Sequence, residues 1–403
     1  MVAAVNYLRL RLLHFLLVIL VLSLAVPHVN SQSNNITETI QQMRRVRVVE
    51  DPSIDLPYEV PAEVRPLLTQ LKHGLRDLLG ETLNSAPTAS PSRLRSNLLT
   101  RLSASGVRLA DRREYKSIEE VPPFTYGGIW DITLHKPKGH RNLVAAVTTL
   151  EIGCGTDSSL YLFERRKAGW DLILAVESNG YVEVRNAHGS FEFGVSPPDQ
   201  NGNWFVVATS ITPWCTSNWR SLRYQVLRPG SSAYEPRIQF DASEGIYVGV
   251  DEPLHLRVSR NDFSVDHADW FDLDNGLHNR MHLRRFTVKG DKVTRVPPLA
   301  LAPHDFLDEW TQLAWADAAR WVSPGRAALL QEIHKAIKAE DSPWRGIEIA
   351  QPCPRMAPKT WVVSLGEQRT LFFTIQQKGA EFWILDVTEQ QPAECPGNSS
   401  PHH

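Results

Sequence analysis

NLVAAVTTLEIGC, residues 142–154, and NWFVVATSITPWC, residues 203–215, superimpose at a constant offset of 61. Asn142 falls on Asn203, and Cys154 falls on Cys215. Beyond the cysteine, SLYLFERR (159–166) falls on SLRYQVLR (221–228) after a one-residue slip. In each stretch β-branched and aromatic residues alternate between turn residues, which is the pattern of half-buried strands. MHLRRFTVKGDKV (281–293) reads as a third copy of the hairpin, with Phe286 in the place of Phe163 and Tyr224. LFFTIQQKGAEFWIL (371–385) reads as a fourth. A repeat of this size predicts a mainly β (α+β) chain of tandem antiparallel units, arranged propeller-like or as a sandwich.

Further strands are expected at 128–135, 142–151, 159–166, 169–177, 203–211, 221–228, 245–250, 254–260, 361–365, 369–376 and 380–387. Helices flank them. Val64, Leu67, Leu68, Leu71, Leu75, Leu78 and Leu79 recur at helical spacing. Leu94, Leu98, Leu99 and Leu102 form a second stripe, after the turn-rich SAPTASPS of 85–92. Helical spacing returns at 304–321 and 326–338. Residues 32–50 are polar and then basic, and are expected to be a mobile lead-in.

The first 33 residues have Arg9 and Arg11, a 12-residue run from Phe15 to Val26 that is apolar but for Ser23, and Val29-Asn30-Ser31 before Gln32. That order predicts a signal peptide cut before Gln32, because the run is too short to span a bilayer. The expected regions are therefore a signal peptide (1–31), a helical part (32–120), a β-repeat domain (121–300), a helical segment (301–345) and a C-terminal hairpin and tail (346–403). The mature chain would be secreted or periplasmic, with no membrane span. Its net charge would go from −2 to −4, a near-balance that carries no footprint for nucleic acid. Asn35-Ile36-Thr37 and Asn398-Ser399-Ser400 fit the glycosylation sequon.

In an exported chain four cysteines read as disulfides, and three pairings are possible. The repeat favours Cys154–Cys215, which leaves Cys353–Cys395. Trp214 and Trp219 flank Cys215, and each is expected to pack over that disulfide.

LEIGCGT, residues 150–156, resembles motif I of the class I S-adenosylmethionine-dependent methyltransferases. Glu177 falls near the position where that family places its ribose-binding acid. The resemblance would imply a helix after the glycines. Asp157 and SSLYLFERR instead continue as a strand, so the segment reads as strand–turn–strand.

The connection NDFSVDHADWFDLDNGLHNR, before the third hairpin copy, reads as an acidic loop. Asp266, His267, Asp269, Asp272, Asp274 and His278 are its candidate metal ligands, with Asp262 and His282 at its borders. Such oxygen donors suit Ca²⁺, and His with Asp suits Zn²⁺ or Mn²⁺. Asn279 stands where an H-E-x-x-H motif needs glutamate. There is no G-x-S-x-G elbow, Walker loop or C-x-x-C. The chain is expected to be a non-catalytic binding or scaffold protein for an extracytoplasmic ligand, a carbohydrate or a protein. The alternative is a metal-dependent hydrolase using 262–282.

Overall fold

Strands that follow one another in the chain lie side by side throughout this fold. The computed structural model describes residues 28–46, 59–109, 126–153, 155–213, 218–247, 254–273, 276–339, 347, 350–366 and 370–395. Among them sixteen strands form four antiparallel four-stranded sheets, each in chain order, and six helices flank them. The protein is mainly β, and none of the sheets closes into a barrel. Two compact units, Met1–Glu244 and Gly245–His403, divide it.

In the first unit, helices α1 (His28–Arg45), α2 (Val64–Ser85) and α3 (Pro91–Ala104) form a layer. Of the residues expected to be a mobile lead-in, 32–45 belong to α1, and 47–50 lie outside the described residues. Ile36, Ile40 and Met43, at helical spacing, are buried against the layer. A Cβ on Gly74 would sit 2.9 Å from the Ile36 side chain, so a glycine permits the close crossing of α1 and α2. The expected signal peptide falls almost wholly outside the described residues. α1 starts at His28, ahead of the expected cut. The Leu-rich stripe of α2 is buried as its spacing predicts. Ser90 caps α3, accepting from the Arg93 amide at 3.4 Å, and Pro91 opens the helix.

The first sheet comprises β1 (Ile129–His135), β2 (Leu143–Glu151), β3 (Thr156–Arg166) and β4 (Gly169–Val176). LEIGCGT thus joins two strands, as its context required. Tyr161 and Phe163 of β3 pack on the helical layer. Leu160 and Leu162, on its other face, pack on the second sheet, of β5 (Ser190–Val195), β6 (Val206–Ile211), β7 (Trp219–Arg228) and β8 (Arg237–Tyr247).

The offset of 61 places β2 on β6. Ala145 pairs with Leu162, whereas its counterpart Val206 pairs with Leu227. The equivalent of Leu162 is therefore Leu227, a slip of four residues and not one. The physical reason is the longer stretch between paired residues: ten residues separate Ile211 from its partner Leu222, against six between Leu150 and its partner Asp157. Cys154, Cys215 and Trp214 fall outside the described residues, and so does the pairing expected of those cysteines. Trp219 is 71% exposed, unlike the expected packed side chain.

The second unit opens on β9 (Leu254–Val258), β10 (Asp262–Leu273), β11 (Gly276–Lys289) and β12 (Lys292–Arg295). Helices α4 (Pro303–Gln312), α5 (Trp315–Ala318) and α6 (Ala327–Ile337) follow. The fourth sheet has β13 (Gln351–Pro352), β14 (Thr360–Leu365), β15 (Leu371–Lys378) and β16 (Glu381–Thr388). Segments 281–293 and 371–385 are the third-to-fourth-strand hairpins of their sheets and match β3–β4. Both close on two-residue turns led by glycine with positive φ, Gly290 and Gly379, the Gly-X form of a tight hairpin.

Phe306, Leu307, Trp310 and Leu330 pack with Phe373, Ile375 and Ile384 on one face of the fourth sheet. A Cys353–Cys395 disulfide crosses its other face, with Val362 and Phe372 beside it. No helix among the described residues is long and apolar enough to cross a membrane.

Candidate functional site

Residues 262–282 are mostly a hairpin and not a loop. Strands β10 and β11 pair from Asp262↔Thr287 to Leu273↔Gly276. The acidic residues that obscured this in the sequence sit among Phe263, Val265 and Phe271, which keep a strand-like alternation. Alternation also separates the candidate ligands. His267 pairs with His282, and Asp269 with Arg280, so these four share one face. Asp266 pairs with Leu283 on the opposite face, where it is buried and its Oδ1 has no hydrogen-bond partner among the described residues. Asp272 and His278 lie farther along the strands, and Asp274 falls outside the described residues. Among the described residues no three His, Cys, Asp or Glu side chains converge closely enough to hold a metal ion.

The shared face instead carries an ionic cluster completed by α4. Glu309, 3% exposed, is its centre. One oxygen accepts from His282 Nδ1 at 2.6 Å and from Arg284. The other accepts from Arg295 Nη2 at 2.8 Å. Asp269 Oδ2 lies 3.5 Å from the second nitrogen of His282, and its Oδ1 accepts from the Tyr247 amide at 2.7 Å. The His267 ring stacks on that of His282, centroids 5.0 Å apart. At the next position along β11, Arg280 reaches Asp308 at 2.8 Å and lies 3.7 Å from Asp305.

These contacts set the protonation states. Burial would lower the His282 pKa, but the hydrogen bonds to Asp269 and Glu309 and the Glu309 charge outweigh it and lift it to about 9. Burial would raise the Glu309 pKa, but His282, Arg284 and Arg295 hold it at about 2. Burial raises the Asp305 carboxyl and lowers neighbouring His304. At neutral pH the centre is an imidazolium–carboxylate pair flanked by guanidinium groups. It can clamp a helix to a hairpin. A general acid or base works best with a pKa near the working pH, and both of these lie well away from it.

Sequence reading found His282 but missed Glu309, Arg284 and Arg295. A signal was present. Arg280, His282 and Arg284 occupy every second position of a strand, while Asp305, Asp308 and Glu309 share one helical face at i, i+3 and i+4.

A second buried charge pair, in the first unit, was also missed. Lys72 Nζ of α2 lies 2.5 Å from Asp157 Oδ2 of β3, with neither side chain exposed. Lys72 also donates to the Ser178 carbonyl. Asp157 accepts in addition from Tyr181 Oη at 2.9 Å and from the His188 amide at 3.1 Å. The Lys72 contacts join α2 to β3 and to the connection after β4, and the other Asp157 contacts join β3 to that same connection.

No protein-family model matches this chain, and no curated protein matches it.

Proposed function

We propose that the chain is a non-catalytic binding or scaffold protein that works outside the cytoplasm. The observation that carries this reading is the saturation of Glu309 by three donors, His282, Arg284 and Arg295. His282, at the border of the expected site, is thereby committed to holding α4 on the β10–β11 hairpin. The Cys353–Cys395 disulfide and the signal-like order of the first 33 residues support export.

The metal-dependent hydrolase remains the second reading, favoured by one observation: His267, Asp269 and His282 share a face. Elemental analysis of the purified chain, with hydrolysis assays on ester, phosphate and glycoside substrates with and without Zn²⁺, Mn²⁺ and Ca²⁺, separates the two. The binding reading expects no stoichiometric metal and no turnover. Turnover that requires a metal and disappears in Asp269→Asn would replace it with the hydrolase.

A further inference from the structure

The two faces of the fourth sheet differ. One is sealed by α4 and α6. The other carries Val362, Phe372, Thr374, Asp386 and Thr388, since Val362↔Thr374↔Asp386 and Phe372↔Thr388 are cross-strand partners. Two tight turns stand over this second face. One closes from the Met356 amide to the Cys353 carbonyl at 3.1 Å, the other from the Cys395 amide to the Pro392 carbonyl at 2.9 Å. The Cys353–Cys395 disulfide ties them together, and Gln391 braces the second by donating to the Cys395 carbonyl at 2.6 Å. Between turns and sheet lies a groove of about 850 Å³.

Thr374 lines this groove and is 4% exposed. On the rim, the Arg355 guanidinium has no ion-pair partner among the described residues. Asp386, Glu389 and Glu394 line the groove as well. Asp386 is held by Arg326 at 3.0 Å. Three carboxylates against Arg355 and Arg326 leave little net charge. A polyanion would meet the carboxylates, and a polycation would meet Arg355.

What remains is a lining of planar two-point groups — carboxylate, carboxamide and guanidinium — with hydroxyls of Thr374 and Thr388 and small apolar patches at Met356, Leu385 and Pro392. Such groups match pairs of neighbouring hydroxyls, each both donor and acceptor. The volume is that of a small-ligand site. We propose that this groove binds a neutral oligosaccharide, with Thr374 at its floor, Arg355 at its rim and the disulfide fixing both turns. The assignment rests on the binding-module reading and gives it a site and a ligand class.

The test uses the full-length, oxidised chain. Cellotriose, maltotriose, chitotriose and mannotriose are titrated by calorimetry and saturation-transfer NMR, with trilysine and inositol hexakisphosphate as charged comparators. At least one neutral trisaccharide is expected to bind saturably. Thr374→Val and Arg355→Ala should each weaken it by about five- to tenfold. Thr374→Val removes the hydroxyl and keeps the branched shape, so its melting temperature should hold while binding falls. Failure of all four sugars to bind, binding indifferent to both substitutions, or binding of a charged comparator alone overturns the assignment. Release of new reducing ends from a bound sugar would instead overturn the non-catalytic reading and leave the groove standing.

Discussion

His282 Nδ1 and Glu309 Oε1 lie 2.6 Å apart, and together they join strand β11 to helix α4. Each group holds the other's charge against burial, so stability should depend on pH from both sides.

The His282 pKa is about 9 in the fold against an ordinary 6.5. Its contribution is complete below 6.5 and is lost as pH rises through about 9. Glu309 sits at about 2 against an ordinary 4.5. Its contribution is complete above 4.5 and is lost as pH falls through about 2. The cluster should therefore stabilise the second unit most between those two ordinary values. Urea unfolding at a series of pH values checks this, and His282→Gln should flatten the alkaline limb. An alkaline limb unchanged in that variant would show that another group causes it.

Glu309→Gln leaves His282, Arg284 and Arg295 buried around a neutral amide. The expected loss is roughly 3–5 kcal/mol in chemical denaturation. Asp308→Asn should cost far less, about 1 kcal/mol, because its partner Arg280 also faces Asp305 and the site is more open. NMR should show the His282 pKa falling in Glu309→Gln and staying in place in Asp308→Asn.

Asp157→Ala strands the Lys72 ammonium in the interior of the first unit. A loss of roughly 3–5 kcal/mol is expected. Lys72→Met should cost less, because Tyr181 and the His188 amide still meet Asp157. Equal losses in the two variants would argue that packing, and not the buried charge, sets the cost.

Reducing Cys353–Cys395 opens a loop whose ends are 42 residues apart. The chain-entropy model gives a loss of about 4 kcal/mol. Thermal melts of the Cys353→Ser/Cys395→Ser variant should show it, and the sugar titration on the same variant should weaken. A melt unchanged by the double substitution would mean that the two turns hold their places unaided.

What the sequence disclosed depended on the range of the interaction. The stripe from Val64 to Leu79 is a local periodicity, and it was legible. So was the strand–turn–strand of 143–166. Lys72 looked like one polar residue in an apolar stripe, because its partner Asp157 lies far along the chain. Glu309 was hidden for the same reason, on a helix read only for its apolar face. β8 was nearly all missed, since RIQFDASEGIY is an edge strand whose exposed residues do not alternate cleanly. The β10–β11 hairpin was misread because acidic density, usually a loop property, outweighed the alternation beneath it. The groove on the fourth sheet left no sequence signal, since turns far apart in sequence wall it.

Every sheet is also an uninterrupted stretch of chain, strand beside next strand. During synthesis each can close as soon as its last strand leaves the ribosome, without waiting for a distant partner. The first sheet meets a helical layer that has already emerged. Its Lys72 is in place before the strand carrying Asp157 is made. The groove forms after the sheet that floors it, because its final wall is the segment ending at Cys395, so the proposed ligand site needs both turns to have been made.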